Sequence, residues 1–391
     1  MKPAVLITGA RAPVALHWSR LFHAAGWRVV VADSLCAPLG RFSRTVACFE
    51  PLPSPRAEPT AAFARRIDEI VAFHDIALIL PTCEEVFHLA AVASSSARPG
   101  EEPRDRFWRD KLFAPSLEVL LRLHDKARFN ELVTHVAPAF VPEFHRLEDP
   151  ADVQALPGGD WVLKPCFSRF GTQTLIRPTA PQRAALKPTP QRPWLAQEYI
   201  GGEELCCSAV VNEGRVLALQ VYRPLVRLRK GAGAGIVFEA VDTARHWAVA
   251  PLVQAIAQAL PGRGQLAIDL RQDLNGQFKA LECNPRSTSG LNFFTSGDGL
   301  VRAVTQARET AFRAPAGWLM GERVASVLVG GLPTLGLLPR MRSLSAWPGD
   351  SLAWWDQARA FAEVLRLARR HNCSLEAATT LDIQWDEPFA D

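Results

Sequence analysis

The stretch Leu266-Ala267-Ile268-Asp269-Leu270-Arg271, followed by Asn275-Gly276 and then Phe278-Lys279-Ala280-Leu281-Glu282-Cys283-Asn284-Pro285-Arg286, decides how this chain is read. Two apolar-alternating runs flank an Asn-Gly pair, which is the strongest short-range hairpin signal. Pairing across that turn brings Asp269 near Glu282 and Asn284. Glu282 and Asn284 stand two apart, so on a strand they share one face while Leu281 and Cys283 take the other. Two carboxylates and an amide oxygen on one face make a hard oxygen site, suited to Mg²⁺ or Mn²⁺ holding phosphates. The alternative is a solvated polar strand face; the strict alternation and the Pro285-Arg286 stop favour the metal reading.

Metal-bound phosphates require positive charge and a backbone cradle. Working upstream, Lys164 closes an apolar strand at 161–164 and precedes Pro165 and the run Cys166-Phe167-Ser168-Arg169-Phe170-Gly171-Thr172. The Ser168 hydroxyl and the backbone around Gly171 are candidates for phosphate oxygens. Lys126 lies in a helix expected over 116–136, where a lysine taken singly reads as a surface residue. A third piece is Gln197-Glu198-Tyr199-Ile200-Gly201-Gly202-Glu203-Glu204. It breaks one strand and starts another, exposing backbone groups to an adenine edge and setting Glu204 where ribose hydroxyls could be held; a plain turn with solvated acids is the competing reading.

Towards the N-terminus the text alternates strand and helix. Ala4-Val5-Leu6-Ile7 ends at Thr8-Gly9, a helical pattern runs over 13–25, and Arg28-Val29-Val30-Val31-Ala32-Asp33 follows. That is a βαβ unit, which demands a parallel sheet. A helix over 61–73 and a strand over 76–80 repeat it. The turn lacks the GxGxxG spacing, so dinucleotide binding is disfavoured. A polar run at 94–110 reads as a surface loop. The proline-rich 177–193 carries a short helix around Ala184-Ala185-Leu186. From about Ala314 a separate tail is expected, with an amphipathic helix over 356–370. Trp347, Trp354 and Trp355 nearby read as core.

Composition bounds the rest. The 391 residues are 48% hydrophobic, enough for two or three cored domains, and 44 basic against 40 acidic residues leave +4, which implies no nucleic-acid grip. No apolar run is long enough to span a bilayer, and the start lacks a signal-peptide core. Eight cysteines without CxxC pairs suggest neither a disulfide framework nor a zinc site. A cytoplasmic protein with reduced thiols is expected. Only seven of the 44 cations are lysine, so each lysine carries more information than an arginine does.

Taken in order, Asp125-Lys126, Val162-Leu163-Lys164-Pro165, the 168–171 loop, Gln197-Glu198-Tyr199-Ile200 with Gly202-x-Glu204, Asp269, and Glu282-x-Asn284-Pro285-Arg286 resemble the ATP-grasp superfamily. The likeness is to the branch with carbamoyl phosphate synthetase, biotin carboxylase and stand-alone carboxylate–amine ligases. It implies an α/β and α+β chain: a Rossmann-like pre-ATP-grasp domain over 1–112, an ATP-grasp domain of two α+β subdomains over 113–313, and a small C-terminal extension over 314–391. It further implies ATP as cofactor, with Lys126, Lys164, Ser168 and Gly171 on the phosphates, Glu198, Tyr199 and Ile200 lining adenine, and Glu204 on the ribose. Asp269, Glu282 and Asn284 would hold Mg²⁺ (or Mn²⁺). Arg286, Lys164 and Arg229 would be the catalytic cations. The implied reaction turns a small-molecule carboxylate into an acyl phosphate, which an amine or thiol then attacks. A carboxyphosphate-forming enzyme and a non-catalytic nucleotide-binding protein are the alternatives. The phosphate loop is poorer in glycine than the family's, and Asp269 stands where relatives often carry Glu or Gln. Arg223, Arg227 and Arg229 alternate in a run that also holds Lys230, so an extended segment would place them on one face to clamp an anionic substrate; a charged edge strand is the competing reading. Ser287 and Thr288, directly after the metal strand, are expected to face the acceptor. Expected partners are carboxylate and amine substrates, with a homodimer as a further expectation, and neither nucleic acid nor membrane.

Overall fold

Apolar runs flanked by turn signals build the first sheet. A computed structural model describes residues 2–57, 61–94, 106–169, 171, 173–229 and 232–386. In it β1 (Ala4–Thr8), β2 (Arg28–Asp33), β3 (Cys48–Pro51) and β4 (Ile76–Leu80) pair in parallel, in the order β3-β2-β1-β4. Every residue of β1 is buried, as expected of a central parallel strand covered on both faces. Helices α1 (Pro13–Ala24) and α2 (Ala61–Phe73) make the crossovers, and α3 (Glu85–Ala93) follows β4. Of the polar run at 94–110, residues 95–105 lie outside the described residues. The remainder is not a plain surface loop, because Trp108 is fully buried and donates its indole N–H to Asp68 at 2.7 Å.

The helix expected over 116–136 is two helices, α4 (Leu117–His124) and α5 (Lys126–Val136). Asp125 separates them in an extended conformation, and its carboxylate accepts the N–H groups of Ala127 and Arg128 at 2.8 and 3.2 Å. An aspartate with that local alternative favours a cap over continuing the helix. Lys126 therefore opens α5, and it is buried rather than on the surface.

The next strands, β5 (Phe144–Leu147), β6 (Trp161–Pro165), β7 (Leu175–Ile176) and β8 (Trp194–Glu198), form an antiparallel sheet in the order β5-β8-β6-β7. Short helices α6 (Pro150–Gln154) and α7 (Ala180–Ala184) decorate it. The latter starts earlier than expected because Thr179 and Gln182 close a capping box around Pro181.

The large sheet gathers β9 (Glu204–Asn212), β10 (Arg215–Arg229), β11 (Ala232–Ala240), β12 (Arg263–Gln272) and β13 (Phe278–Asn284), in the order β13-β12-β9-β10-β11. The decisive hairpin forms, with Asp269 opposite Glu282 and Ala267 opposite Asn284. Its connection is longer than an Asn-Gly type I′ turn. Asp273 Oδ1 accepts from the N–H groups of Asn275 and Gln277 at 2.9 and 2.8 Å, and only Gly276 of the pair is left-handed, at φ +81°. Helix α8 (Thr243–Ala259) covers one face: Val249, Leu252 and Ile256 pack with Leu266 and Ile268, and with Phe129 of α5. Helix α9 (Leu300–Gln306) packs against the N-terminal sheet.

The chain beyond 313 is not separate from that sheet. β14 (Leu319–Gly321) pairs with β11, α10 (Arg323–Gly330) follows, and β15 (Met341–Ser343) pairs with β14. The amphipathic helix is α11 (Trp354–Arg370), followed by α12 (Leu375–Ala378). Trp347 packs edge-on against His17 at 5.3 Å, whereas Trp354 and Trp355 are 74% and 53% exposed and are not core. Among the described residues no helix is long and apolar enough to cross a membrane.

Candidate active site

A cavity of about 710 Å³ opens between the small sheet, the large sheet and the N-terminal sheet. Its floor is the polar face of β12 and β13. Asp269, Glu282 and Asn284 line it, as do Lys164 of β6 and Arg286 just past β13. Two lysines from different elements meet at one carboxylate. Lys126 Nζ lies 3.6 Å, and Lys164 Nζ 3.5 Å, from Glu282 Oε2. Lys164 also donates to the Leu281 carbonyl at 3.2 Å, and Lys126 to the Ser168 carbonyl at 2.9 Å. Lys126 is therefore tied both to β13 and to the turn that follows β6.

Electrostatics differ from group to group. Burial pushes the Lys164 ammonium down, with Glu282 pulling against it. Burial would raise Glu282, but Lys126 and Lys164 outweigh it and hold the carboxyl below its usual range. Asp269 is raised, first by enclosure in protein and then by Glu282 opposite; the cavity leaves only part of either side chain open. Among the described residues no cation stands at ion-pair distance from Asp269. The Cys206 thiol, Arg227 and Lys164 offset only part of what raises Asp269, and the donor set of Asp269, Glu282 and Asn284 is hard oxygen. Those residues fit a hard divalent cation, which would favour the ionised form of Asp269.

The residues expected against adenine and ribose also reach this cavity. Glu198, Tyr199, Ile200 and Glu204 all line the cavity, and Arg177 sits 4.0 Å over the Tyr199 ring. The break between β8 and β9 is forced by packing at Gly202, where an added Cβ would fall 1.7 Å from the Gln272 carbonyl oxygen. The break does not leave its backbone open as expected. Tyr199 N–H donates to Asp160 O at 2.9 Å, and the Ile200 carbonyl accepts from Arg271 at 2.9 Å. Glu204 is likewise engaged, in ion pairs with Arg227 and, at 3.8 Å, with Arg271.

The substrate-side expectations divide. β-bulges at Pro224, Val226 and Arg227 break the alternation of β10, so Arg223 and Arg227 do not act together. Arg227 lines the cavity; Arg223 does not, and is spent on Glu203 at 2.5 Å and Glu239 at 2.6 Å. The side chain of Arg229 lies outside the described residues, as do Phe170 and Lys230. Ser287 is buried, donating to Gln265 and accepting the Trp18 indole N–H at 3.2 Å, so its hydroxyl fastens the site to α1. Thr288 faces the cavity beside Ser208 and Tyr222, whose hydroxyl lies 3.2 Å from Thr288 Oγ1. Burial keeps the Tyr222 phenol well above its usual value. Ser168 and Gly171 line the cavity as well.

Sequence reasoning missed the far wall: Tyr222 and Phe238 from the large sheet, and Thr82 just past β4. One compositional signal pointed there. The chain has only two tyrosines, Tyr199 and Tyr222, and both line this cavity.

No family model matches the chain, and no curated protein matches it in sequence. Solved structures do. The L-amino acid ligase from Bacillus licheniformis is similar at 16% identity over 76% of this chain and 70% of that one, with TM-score 0.55. The N5-carboxyaminoimidazole synthetase from Staphylococcus aureus is similar at 13% identity over 81% of each chain, with TM-score 0.60. The biotin carboxylase domain of 2-oxoglutarate carboxylase from Hydrogenobacter thermophilus, a dimer in complex with ADP, its magnesium salt and bicarbonate, matches at 15% identity over 81% and 73%, with TM-score 0.57. The chain has the ATP-grasp fold.

Proposed function

We propose that the protein is an ATP- and Mg²⁺-dependent ligase that activates a small-molecule carboxylate as an acyl phosphate and passes it to an amine or thiol. In this reading 1–112 is the pre-ATP-grasp domain, 113–313 the ATP-grasp domain and 314–391 an extension that completes the large sheet. The observation that carries it is the meeting of Lys126 and Lys164 at Glu282, which lines, with Lys164, Asp269 and Asn284, one cavity that also holds Tyr199 and Arg286. The names of the similar structures, an amino acid ligase, a carboxyaminoimidazole synthetase and a biotin carboxylase domain, support carboxylate activation in general, and the first of them the ligase reading.

Lys126 and Lys164 hold the phosphates, and Tyr199 and Ile200 form the wall against adenine. Asp269, Glu282 and Asn284 would hold Mg²⁺ (or Mn²⁺), which when bound offsets the negative charge of the phosphates. Arg286 orients the incoming carboxylate towards the γ-phosphorus. A carboxylate oxygen forms the new P–O bond as the bond from the γ-phosphorus to the bridging oxygen breaks and ADP leaves. The amine nitrogen then attacks the acyl carbon, phosphate departs and the amine loses a proton. The chain contributes positioning and charge, which is most of what phosphoryl transfer asks of a protein. Thr288 and the Tyr222 hydroxyl line the acceptor end, next to the apolar Phe238, which suits a small amphipathic substrate.

An ADP-release screen over amino acids and small carboxylic acids, with amines and bicarbonate among the co-substrates, tests this reading. Release that needs both a carboxylate and an amine is expected. Release with bicarbonate alone would move the reading to carboxyphosphate formation, and no release under any pairing would count against catalysis.

A further inference from the structure

Ser168 and Arg169, just past β6, are held from two other parts of the chain. Arg169 is largely buried and reaches out of the ATP-grasp sheets in two directions. The guanidinium Nε donates to Glu84 Oε2 of the N-terminal module, Nη1 to Asp386 Oδ1 at 2.6 Å, and Nη2 to the Trp385 carbonyl. Trp385 N–H donates in turn to the same Glu84 oxygen at 3.3 Å, and its ring lies 5.0 Å from that of His88. The segment carrying Trp385 and Asp386 is itself fastened to the N-terminal module. Arg11 pairs with Asp382 at 2.5 Å, Ser54 donates to the Asp382 carbonyl at 2.7 Å, and Arg56 donates to Gln384 O and Asp386 Oδ2 at 2.8 and 2.9 Å. On the other side of the turn, Ser168 O accepts from Lys126.

We infer that the C-terminal segment 382–386 is a strut which, through Arg169 as positioning residue, fixes Ser168 in its cavity-facing conformation. Arg169 has fixed partners in both directions. Rigidity then comes from ion pairs and hydrogen bonds supplied by two other parts of the chain. Glu84 is buried and serves both Arg169 and Trp385, so the three behave as one unit rather than as separate surface pairs. This gives the C-terminal extension a second task besides completing the large sheet: it preorganises the phosphate end of the site. The part of this inference that concerns nucleotide rests on the proposed ATP-dependent function; the strut itself does not.

Two variants of the full protein test it: Arg169→Ala, and a chain ending at Gln384. The first readout needs no nucleotide. Amide hydrogen exchange of peptides covering 166–175 in the free protein should quicken in both variants, with little change in the strands of the large sheet. The second is MgATP affinity by calorimetry together with the KM and kcat for ATP. If the turn is competent a tenth of the time once released, the apparent Kd and KM rise about tenfold while kcat at saturation stays near that of the intact chain. Combining the two changes should add little to either alone. Unchanged exchange at 166–175 in the truncated chain, or effects of the two changes that multiply as independent ones do, would overturn the strut. Faster exchange together with a wild type that binds no ATP would uphold the strut and defeat the nucleotide reading instead.

Discussion

Asp33 in the N-terminal sheet and Asp269 in the large sheet are both strand carboxylates enclosed by protein, and their surroundings are opposite. Asp33 is saturated: Arg11 Nη2 lies 2.6 Å from Oδ1, the Arg11 N–H donates to Oδ2 at 2.8 Å, and the Leu35 N–H to Oδ1 at 2.9 Å. Asp269 faces another carboxylate across the strand pair and is raised, first by burial and then by that neighbour, while the nearby lysines come within ion-pair distance of Glu282 instead. A chain that can satisfy a buried acid in one sheet and leaves one strained in the other is storing unfavourable charge where a ligand can relieve it. On the proposed reading, the first acid serves the fold and the second a bound cation.

That contrast can be broken by four measurements. The largest effect is expected at Glu282→Ala, which strips both lysines of their shared partner; ADP production with a working substrate pair should fall roughly 10³-fold or more, while far-ultraviolet circular dichroism stays native. Asp33→Ala should show the reverse pattern. Chemical denaturation should register a loss of about 3 kcal/mol, because Arg11 keeps only Asp382 as its acid, and the KM for ATP should not move. A pH series sharpens the structural side. Burial, with Arg20 adding to it, lowers His17 to about 4, and its Nε2 lies 2.9 Å from the Phe294 carbonyl. The unfolded chain therefore binds the proton between pH 6.5 and 4 and the folded chain does not. Stability is fully present above pH 6.5 and declines through that window as pH falls, by roughly 3 kcal/mol from this residue. His17→Gln should flatten the decline. The smallest effect is the most telling: Asp269→Asn should leave the thermal midpoint unchanged or raise it by the equivalent of about 1 kcal/mol, because it removes a repulsion, and still abolish the Mg²⁺ dependence of nucleotide binding.

Much of the fold was legible in the chain, and the reasons are local. The βαβ opening announced itself through apolar runs bounded by Gly9 and Gly26, and the pairing of Asp269 with Glu282 followed from the Asn275-Gly276 signal between two alternating runs, although a register shift beside Asp269 helps to set it. What failed to show depended on partners distant in sequence. Lys126 read as a surface residue until Asp125 was seen to cap a second helix and turn it inward. The even spacing of Arg223 and Arg227 looked like a clamp, but bulges in β10 undo period-two reasoning, and Glu203 and Glu239 take one of them. Ser287 was placed correctly beside the site, yet its hydroxyl belongs to Trp18 and Gln265. The tail could not be read as part of the large sheet, since β14 and β15 are three residues each and carry too little pattern to announce a strand.

The most direct test of the central claim is calorimetric titration of ATP, with and without Mg²⁺, into the wild-type protein and into Lys164→Met. One Mg²⁺-dependent site, weakened about 10²-fold by the substitution, is the predicted result. No binding by the wild type, or binding that Lys164→Met leaves untouched, would contradict the assignment of this cavity to a nucleotide triphosphate.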